Sequence, residues 1–168
     1  MPLTTSATML AGARSGGYAV GAFNVENMEM VKAVIAAAEE LSAPVMLQTT
    51  PSTVKYGTLE TYRAIVAAEA AKASVPVCLH LDHGSSFELA ARAIHAGYTS
   101  VMIDGSHESF EDNIAISKKV ADMANACGIP VEAELGKVGG KEDDLESEGD
   151  ANTDPAEAAE FVKRTGVT

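Results

Sequence analysis

The sequence predicts an α/β protein built on a parallel β-sheet. Short apolar runs of β type alternate with alanine-rich stretches that have a helical period. These strand-helix units recur about every 25 to 32 residues, and each strand run ends in a polar residue. Strict alternation of strand and helix favours parallel strands joined by right-handed crossovers.

The first units follow a regular pattern. The predicted strand runs are residues 19–25, 44–50, 76–83, 100–106 and 131–136. Between the first two runs, one helical face carries a set of apolar residues: Val31, Val34, Ile35, Ala38 and Leu41. Ser85 and Glu88 have the spacing of a capping box, which predicts that the helix after the third run begins there.

The later helices also carry start and stop signals. Ser109 precedes a helical stretch that ends near Gly128. Asp154 is predicted as an N-cap with Pro155 at the first helical position, and Gly166 ends that helix. The chain therefore contains five units in one predicted domain, residues 1–168.

Two architectures fit five such units. A closed (β/α)8 barrel needs eight units and roughly 250 residues, whereas this chain has 168. The residues alone leave open a doubly wound open sheet or the front part of a barrel whose last three units are missing.

Charge and composition exclude several classes of partner. The formal net charge is −12, so we expect no binding to nucleic acid or to an anionic membrane surface. Apolar runs stop after about six residues, against the roughly 20 that a membrane span requires. Two distant cysteines, Cys78 and Cys127, and no signal-peptide pattern predict a reduced, cytoplasmic protein.

Side-chain alternation predicts where a site lies. In the third run Val77, Leu79 and Leu81 share one face, and the opposite face carries a second set: Cys78, His80 and Asp82. The other runs also end in polar residues on the phase away from the packing face, namely Asn24, Gln48, Thr50, Asp104 and Glu134. Ligands of parallel α/β proteins bind at the carboxyl ends of the strands, which predicts a site there.

The metal-ligating residue types allow two interpretations. His83 is either a metal ligand through a neutral imidazole or a solvent-facing histidine in a loop. Asp104 and Glu134 are hard oxygen ligands, or else an ordinary polar rim.

The candidate acid/base residues are equally ambiguous from the sequence. Asp82 is an acid/base, or a helix cap or salt-bridge partner. His80, deeper on the same face, is predicted to be hydrogen-bonded beneath the site. The glycine-containing loop 135–144 either closes over the site and brings in Glu142, or has no role.

Four motifs in order, "AFN", "LHLDHGSS", "VMIDGSH" and "VEAELGKVGGKEDD", resemble the metal-dependent class II fructose- and tagatose-bisphosphate aldolases. The resemblance runs from Met1 to Thr168. It implies the first five βα units of a TIM barrel, incomplete at the C-terminus. None of the strand runs carries a lysine, as an aldolase of the Schiff-base type would require.

The resemblance implies a metal site. By this similarity His83 binds the catalytic Zn²⁺, and Asp104 and Glu134 form its alternative position or hold a second divalent or monovalent cation. The family completes the zinc site with two further histidines, and binds phosphate with glycine-rich turns, beyond Thr168. We therefore expect the isolated chain to be an inactive N-terminal portion of an aldolase.

The resemblance also implies the reaction and its catalytic residues. Asp82 exchanges a proton with the C4 oxygen of a ketose 1,6-bisphosphate, and Glu142 handles the proton at C3. Zn²⁺ stabilises the enediolate of dihydroxyacetone phosphate, and the other product is glyceraldehyde 3-phosphate. Thr50 matches a residue that contacts the aldehyde half of the substrate.

The substrate is thus a phosphorylated sugar, fructose or tagatose bisphosphate, and the full-length protein is expected to be a homodimer or homotetramer. Two other classes remain. One is a non-catalytic half-barrel that acts as an assembly or regulatory subunit; the other is a different metal-dependent lyase on the same scaffold.

Overall fold

The computed structural model describes residues 3–136 and 152–168, and the backbone of residues 140–142 and 145–147. The helices are α1 (Ser6–Gly16), α2 (Met28–Glu40), α3 (Pro51–Gly57), α4 (Leu59–Ala70), α5 (Phe87–Ala96), α6 (Phe110–Ala126) and α7 (Pro155–Thr165). The strands are β1 (Gly21–Asn24), β2 (Val45–Thr49), β3 (Val77–Leu81), β4 (Ser100–Ile103), β5 (Val131–Ala133), β6 (Gly140–Glu142) and β7 (Leu145–Ser147).

Strand order decides between the two predicted architectures. Strands β1 to β5 form one parallel sheet in the order of the sequence, and β6 and β7 form a separate antiparallel pair. Right-handed crossovers that always advance in the same direction place the helices on one face of the sheet. A doubly wound sheet would reverse direction, so that alternative is wrong, and the structure is the first part of a barrel.

The helix-facing side of the sheet forms the main core. Alternate strand residues, including Val45, Leu47, Val77, Leu79, Leu81, Val101 and Ile103, pack with apolar residues of α2, α4, α5 and α6. The alternation predicted for the third run is therefore confirmed.

The other side of the sheet is the inner face of the barrel, and α1 packs against it. Met9 of α1 clusters with Met46 of β2 and Cys78 of β3. The backbone N–H of Thr4, just before α1, donates to the carbonyl of Val77 at 2.9 Å. Helix α1 was not predicted from the sequence, and it closes the inner face at the amino ends of the strands.

Two helix starts agree with their predicted caps. Ser109 accepts a hydrogen bond from the backbone N–H of Asp112 at 3.2 Å. Asp154 accepts from the N–H of Ala156 at 2.7 Å. The predicted starts of α6 and α7 are thus confirmed.

The cap of α5 lies one residue later than predicted. Ser86 caps this helix, since its hydroxyl accepts from the N–H of Leu89 at 3.1 Å; the assignment to Ser85 is wrong. The loop takes up one more residue because it packs closely against β4 at Gly84 before the helix begins.

None of the described helices carries an apolar stretch long enough to cross a membrane.

Candidate functional site

Three predicted ligand residues meet where β3, β4 and β5 end. Nδ1 of His83 is 3.0 Å from Oδ2 of Asp104 and 3.6 Å from Oε2 of Glu134. One ligand atom from each residue lies within 4.8 Å of the others. We call His83, Asp104 and Glu134 the rim cluster. The structure thus brings together side chains that are up to 51 positions apart in the sequence.

The loop after β3 holds His83 in an unusual backbone conformation. His83 has φ of 46°, in the left-handed region that residues other than glycine seldom adopt. Its N–H donates to Sδ of Met102 at 3.4 Å, and the N–H of Asp104 donates to the carbonyl of Gly84 at 3.0 Å. These contacts to β4 end β3 at Leu81, before the predicted strand end at His83, and turn the imidazole toward Asp104.

Gly84 allows this close approach. A Cβ atom on Gly84 would lie 2.2 Å from the carbonyl oxygen of Met102. Only glycine therefore fits between the loop and β4 without movement of the backbone.

Hydrogen bonding and charge polarise the cluster. The hydrogen bond to Asp104 raises the pKa of His83 to about 9, with further contributions from the charges of Asp82 and Glu134. Burial alone would raise the pKa of Asp104, but its hydrogen bonds with His83 and Ser106 outweigh burial and hold it at about 2. In the metal-free chain the two groups thus form an ion pair at neutral pH.

The donor set suits a divalent cation. It combines one imidazole nitrogen with two carboxylate oxygens, which are ligands that Zn²⁺ accepts. A cation between the carboxylates would replace the proton of His83, because a histidine must be neutral to bind a metal.

Asp82 lies next to the cluster and is held by Gln48, for which the sequence predicted no specific role. Nε2 of Gln48 donates to Oδ2 of Asp82 at 2.6 Å and to Oδ1 of Asn24 at 2.7 Å. The three side chains form a row across β1, β2 and the end of β3. Strand alternation predicted that Gln48 faces inward near the end of its strand, but that pattern does not show which polar group it contacts.

Thr50 follows β2 at the same edge of the sheet and is buried. It is the N-cap of α3, and its hydroxyl lies 2.9 Å from Oγ of Ser52 and 3.1 Å from Oγ1 of Thr53. The contact of Thr50 with substrate stays a prediction.

Glu142 belongs to β6. Its side chain lies outside the described residues, so its proton transfer also stays a prediction.

A buried polar chain runs beneath the site. Nδ1 of His80 is 2.7 Å from Oγ of Ser100, which is 2.9 Å from Oγ of Ser6 on α1. On the other side of the ring, Nε2 of His80 is 3.6 Å from Oε2 of Glu132. Burial, and then repulsion from His83, lowers the pKa of His80 to about 4. The predicted hydrogen-bonded role of His80 beneath the site is confirmed.

Sequence comparisons identify the family. The family model described as "Fructose-bisphosphate aldolase class-II" matches residues 4–168. A probable fructose-bisphosphate aldolase of Bacillus subtilis is 51% identical over 170 residues, covering 99% of this chain and 60% of the relative. The fructose-bisphosphate aldolase of Geobacillus stearothermophilus is 49% identical, with 99% and 59% covered. The chain thus spans about 60% of the length of these relatives.

Solved structures give the same result. The YdjI aldolase of Escherichia coli K12 superposes with a TM-score of 0.85 at 39% identity, covering 98% of this chain and 59% of that one. A putative fructose-1,6-bisphosphate aldolase from Coccidioides immitis gives a TM-score of 0.89 at 34% identity, with 98% and 58% covered. Both support a partial TIM barrel. The chain belongs to the class-II fructose-bisphosphate aldolase family.

Proposed function

We propose that this chain carries the metal-binding and proton-transfer residues of a class II ketose-1,6-bisphosphate aldolase. The substrate would be fructose or tagatose 1,6-bisphosphate, cleaved reversibly to dihydroxyacetone phosphate and glyceraldehyde 3-phosphate. The observation that carries the proposal is the rim cluster beside Asp82, at the carboxyl ends of parallel strands.

The rim cluster is the proposed zinc site. His83 would be a ligand of the catalytic ion, and Asp104 and Glu134 would form its alternative position or hold a second cation. These nitrogen and oxygen donors fit Zn²⁺. When bound, Zn²⁺ supplies a Lewis acid that withdraws electrons from the ketose carbonyl.

Two carboxylates would move the protons. Asp82 accepts the proton of the C4 hydroxyl as the C3–C4 bond breaks, which leaves an aldehyde at C4. Glu142 donates a proton to C3 of the dihydroxyacetone phosphate half, so the proton count balances. Gln48 orients Asp82 by donating a hydrogen bond to Oδ2 of its carboxylate. Thr50 is proposed to contact the aldehyde half.

The remaining parts of the proposal concern the complete protein. We propose that it is cytoplasmic and forms a homodimer or homotetramer. Residues 1–168 would be one partial barrel domain without aldolase activity of its own, because a catalytic zinc site and the phosphate sites need ligands from other parts of the barrel.

The test uses a chimera. Residues 1–168 are joined to the segment of the Bacillus subtilis relative that follows the part matched by this chain. The chimera and the chain alone are assayed with Zn²⁺ on fructose and tagatose 1,6-bisphosphates. We expect cleavage by the chimera only, and a loss of roughly 10² to 10⁴ in kcat for Asp82→Ala.

The matched control is Asp122→Ala, which removes an exposed aspartate that pairs with Lys118 on α6. It should leave kcat unchanged. A folded chimera that cleaves neither sugar would contradict the proposal, as would an Asp82→Ala chimera as active as the control. Activity of the chain alone would refute its predicted inactivity.

A further inference from the structure

The buried polar chain beneath the site ends on a carboxylate that the proposed mechanism does not use. Ser6 of α1, Ser100 of β4 and His80 of β3 form what we call the buried relay, and it points at Glu132 of β5. His80 is 1% exposed and Ser100 is 2% exposed, so the relay is rigidly packed.

The charge on Glu132 selects one tautomer of His80. A neutral imidazole carries a single N–H. If Nδ1 carried it, the lone pair of Nε2 would face the carboxylate of Glu132 at 3.6 Å, which is repulsive. If Nε2 carries it, Ser6 donates to Ser100, Ser100 donates to Nδ1, and the N–H points at the negative charge.

The second arrangement uses every proton of the relay. The separation of 3.6 Å is longer than a direct hydrogen bond, so at this distance the attraction is electrostatic. A movement of the carboxylate oxygen by about half an ångström would bring it within direct hydrogen-bond distance of Nε2 of His80.

The side chain of Glu132 is only partly enclosed by its neighbours. Its side chain is 58% exposed and lies on the inner phase of β5, two residues before Glu134. Glu132 pairs with Met102 of β4, whose Sδ accepts a hydrogen bond from the N–H of His83, so Glu132 lies beside the rim cluster. A free carboxylate at this position would be a further ligand for a cation in the cluster.

We propose that His80 is a positioning residue, whose Nε2–H holds the carboxylate of Glu132 beside the rim cluster rather than in it. This inference rests on the proposed function, since it concerns the same metal site. Its consequence is that a bound ion keeps coordination positions free for substrate, as an open catalytic site requires.

Nitrogen-15 NMR of His80 in the metal-free chain tests the tautomer. Long-range ¹H–¹⁵N spectra at neutral pH distinguish the protonated ring nitrogen from the other one. We expect the proton on Nε2 in the wild type, and a change in the Nε2 resonance in Glu132→Gln. A proton on Nδ1 would overturn the inference.

Co²⁺ binding tests the positioning. His80→Gln retains a donor near the place of Nε2, whereas His80→Asn retains a polar group near Nδ1 and loses that donor. We expect His80→Gln to bind Co²⁺ with the wild-type visible spectrum. In His80→Asn, Glu132 should become a further ligand of the ion. The higher coordination number weakens the visible bands, and the added carboxylate raises the Co²⁺ affinity by about tenfold.

Glu132→Gln supplies a variant that does not disturb the core, because its side chain is exposed. Alone it should change Co²⁺ affinity by less than twofold, and combined with His80→Asn it should restore the wild-type spectrum. A tenfold loss for Glu132→Gln alone would show that Glu132 is already a ligand and would overturn the inference. Equal spectra and affinities for wild type, His80→Asn and His80→Gln would do the same.

These outcomes separate the inference from the proposed function. A wild-type chain that fails to bind Co²⁺ would contradict the proposed metal site, and with it the claim that His80 protects that site. A chain that binds Co²⁺ but fails the variant comparison would contradict the positioning role alone.

Discussion

Replacing Gly84 by alanine should damage both stability and the rim cluster. The added Cβ would lie 2.2 Å from the carbonyl oxygen of Met102 and 3.1 Å from Cδ2 of Leu81. To reach ordinary contact the loop must move from β4 by about 1 Å. Such a movement would break the 3.0 Å contact between His83 and Asp104.

The cost follows from these distances. Overpacking costs about 1–3 kcal/mol, and loss of a charged hydrogen bond adds about 1.5–3 kcal/mol, of which relaxation recovers part. We expect a loss of about 3 kcal/mol, which lowers Tm by about 6–12 °C for a chain of this size. Co²⁺ affinity should fall about 10- to 100-fold.

The assay is thermal unfolding by circular dichroism, together with Co²⁺ titration. Gly128→Ala is the matched control, because its φ of 71° imposes backbone strain while no atom lies within 4 Å of the added Cβ. It should cost about 1–2 kcal/mol and leave Co²⁺ affinity unchanged. If Gly84→Ala behaves like Gly128→Ala in both measurements, the close approach of the loop to β4 does not position the cluster.

Three further predictions concern other parts of the molecule. Burial holds the pKa of His80 near 4, against 6.5 when the side chain is exposed. The free energy of unfolding should therefore be highest above pH 6.5 and should fall by about 3 kcal/mol as the pH drops to 4, because the unfolded chain takes up a proton first. Chemical denaturation of His80→Gln should lack this dependence on pH, and an unchanged dependence would contradict the buried neutral state. Gln48→Leu should lower kcat/KM of the chimera about 10- to 100-fold, because the hydrogen bond to Asp82 is lost. Gln48→Met, a second apolar variant, should lower kcat/KM to the same extent, and wild-type kinetics in both variants would refute the orienting role. Burial raises the pKa of Cys78 to about 11, whereas Cys127 is exposed. The folded chain should therefore react with one equivalent of a chromogenic disulfide reagent, at Cys127. Reaction of two equivalents before unfolding would be inconsistent with this structure.

Helix caps show how far local patterns reach. Ser109 and Asp154 were predicted correctly because an N-cap bonds to backbone only two or three residues away in the sequence. Ser85 fitted the same pattern, but Ser86 caps α5 because the loop must first pass close to β4 at Gly84. The close contact of Gly84, in the loop after β3, with Met102 of β4 precedes that boundary.

The same distinction applies to the site. Strand alternation placed Asp82, Asp104 and Glu134 at the carboxyl ends of strands, since the period of two is a local property of extended backbone. Which of these groups touch was not readable from that pattern. The bond between Gln48 and Asp82 joins residues 34 positions apart and depends on the pairing of β2 with β3.

By itself, the sequence determined the alternation of strands and helices, the inner and outer phases of the strands, and the motifs that resemble one aldolase family. These properties depend on residue type and short-range spacing. Only the tertiary structure decided the strand order, the packing of α1 on the inner face, the left-handed turn at His83 and the buried relay from Ser6 to His80. Each of these depends on contacts between segments that are distant in the chain, and such contacts exist only once the sheet has formed.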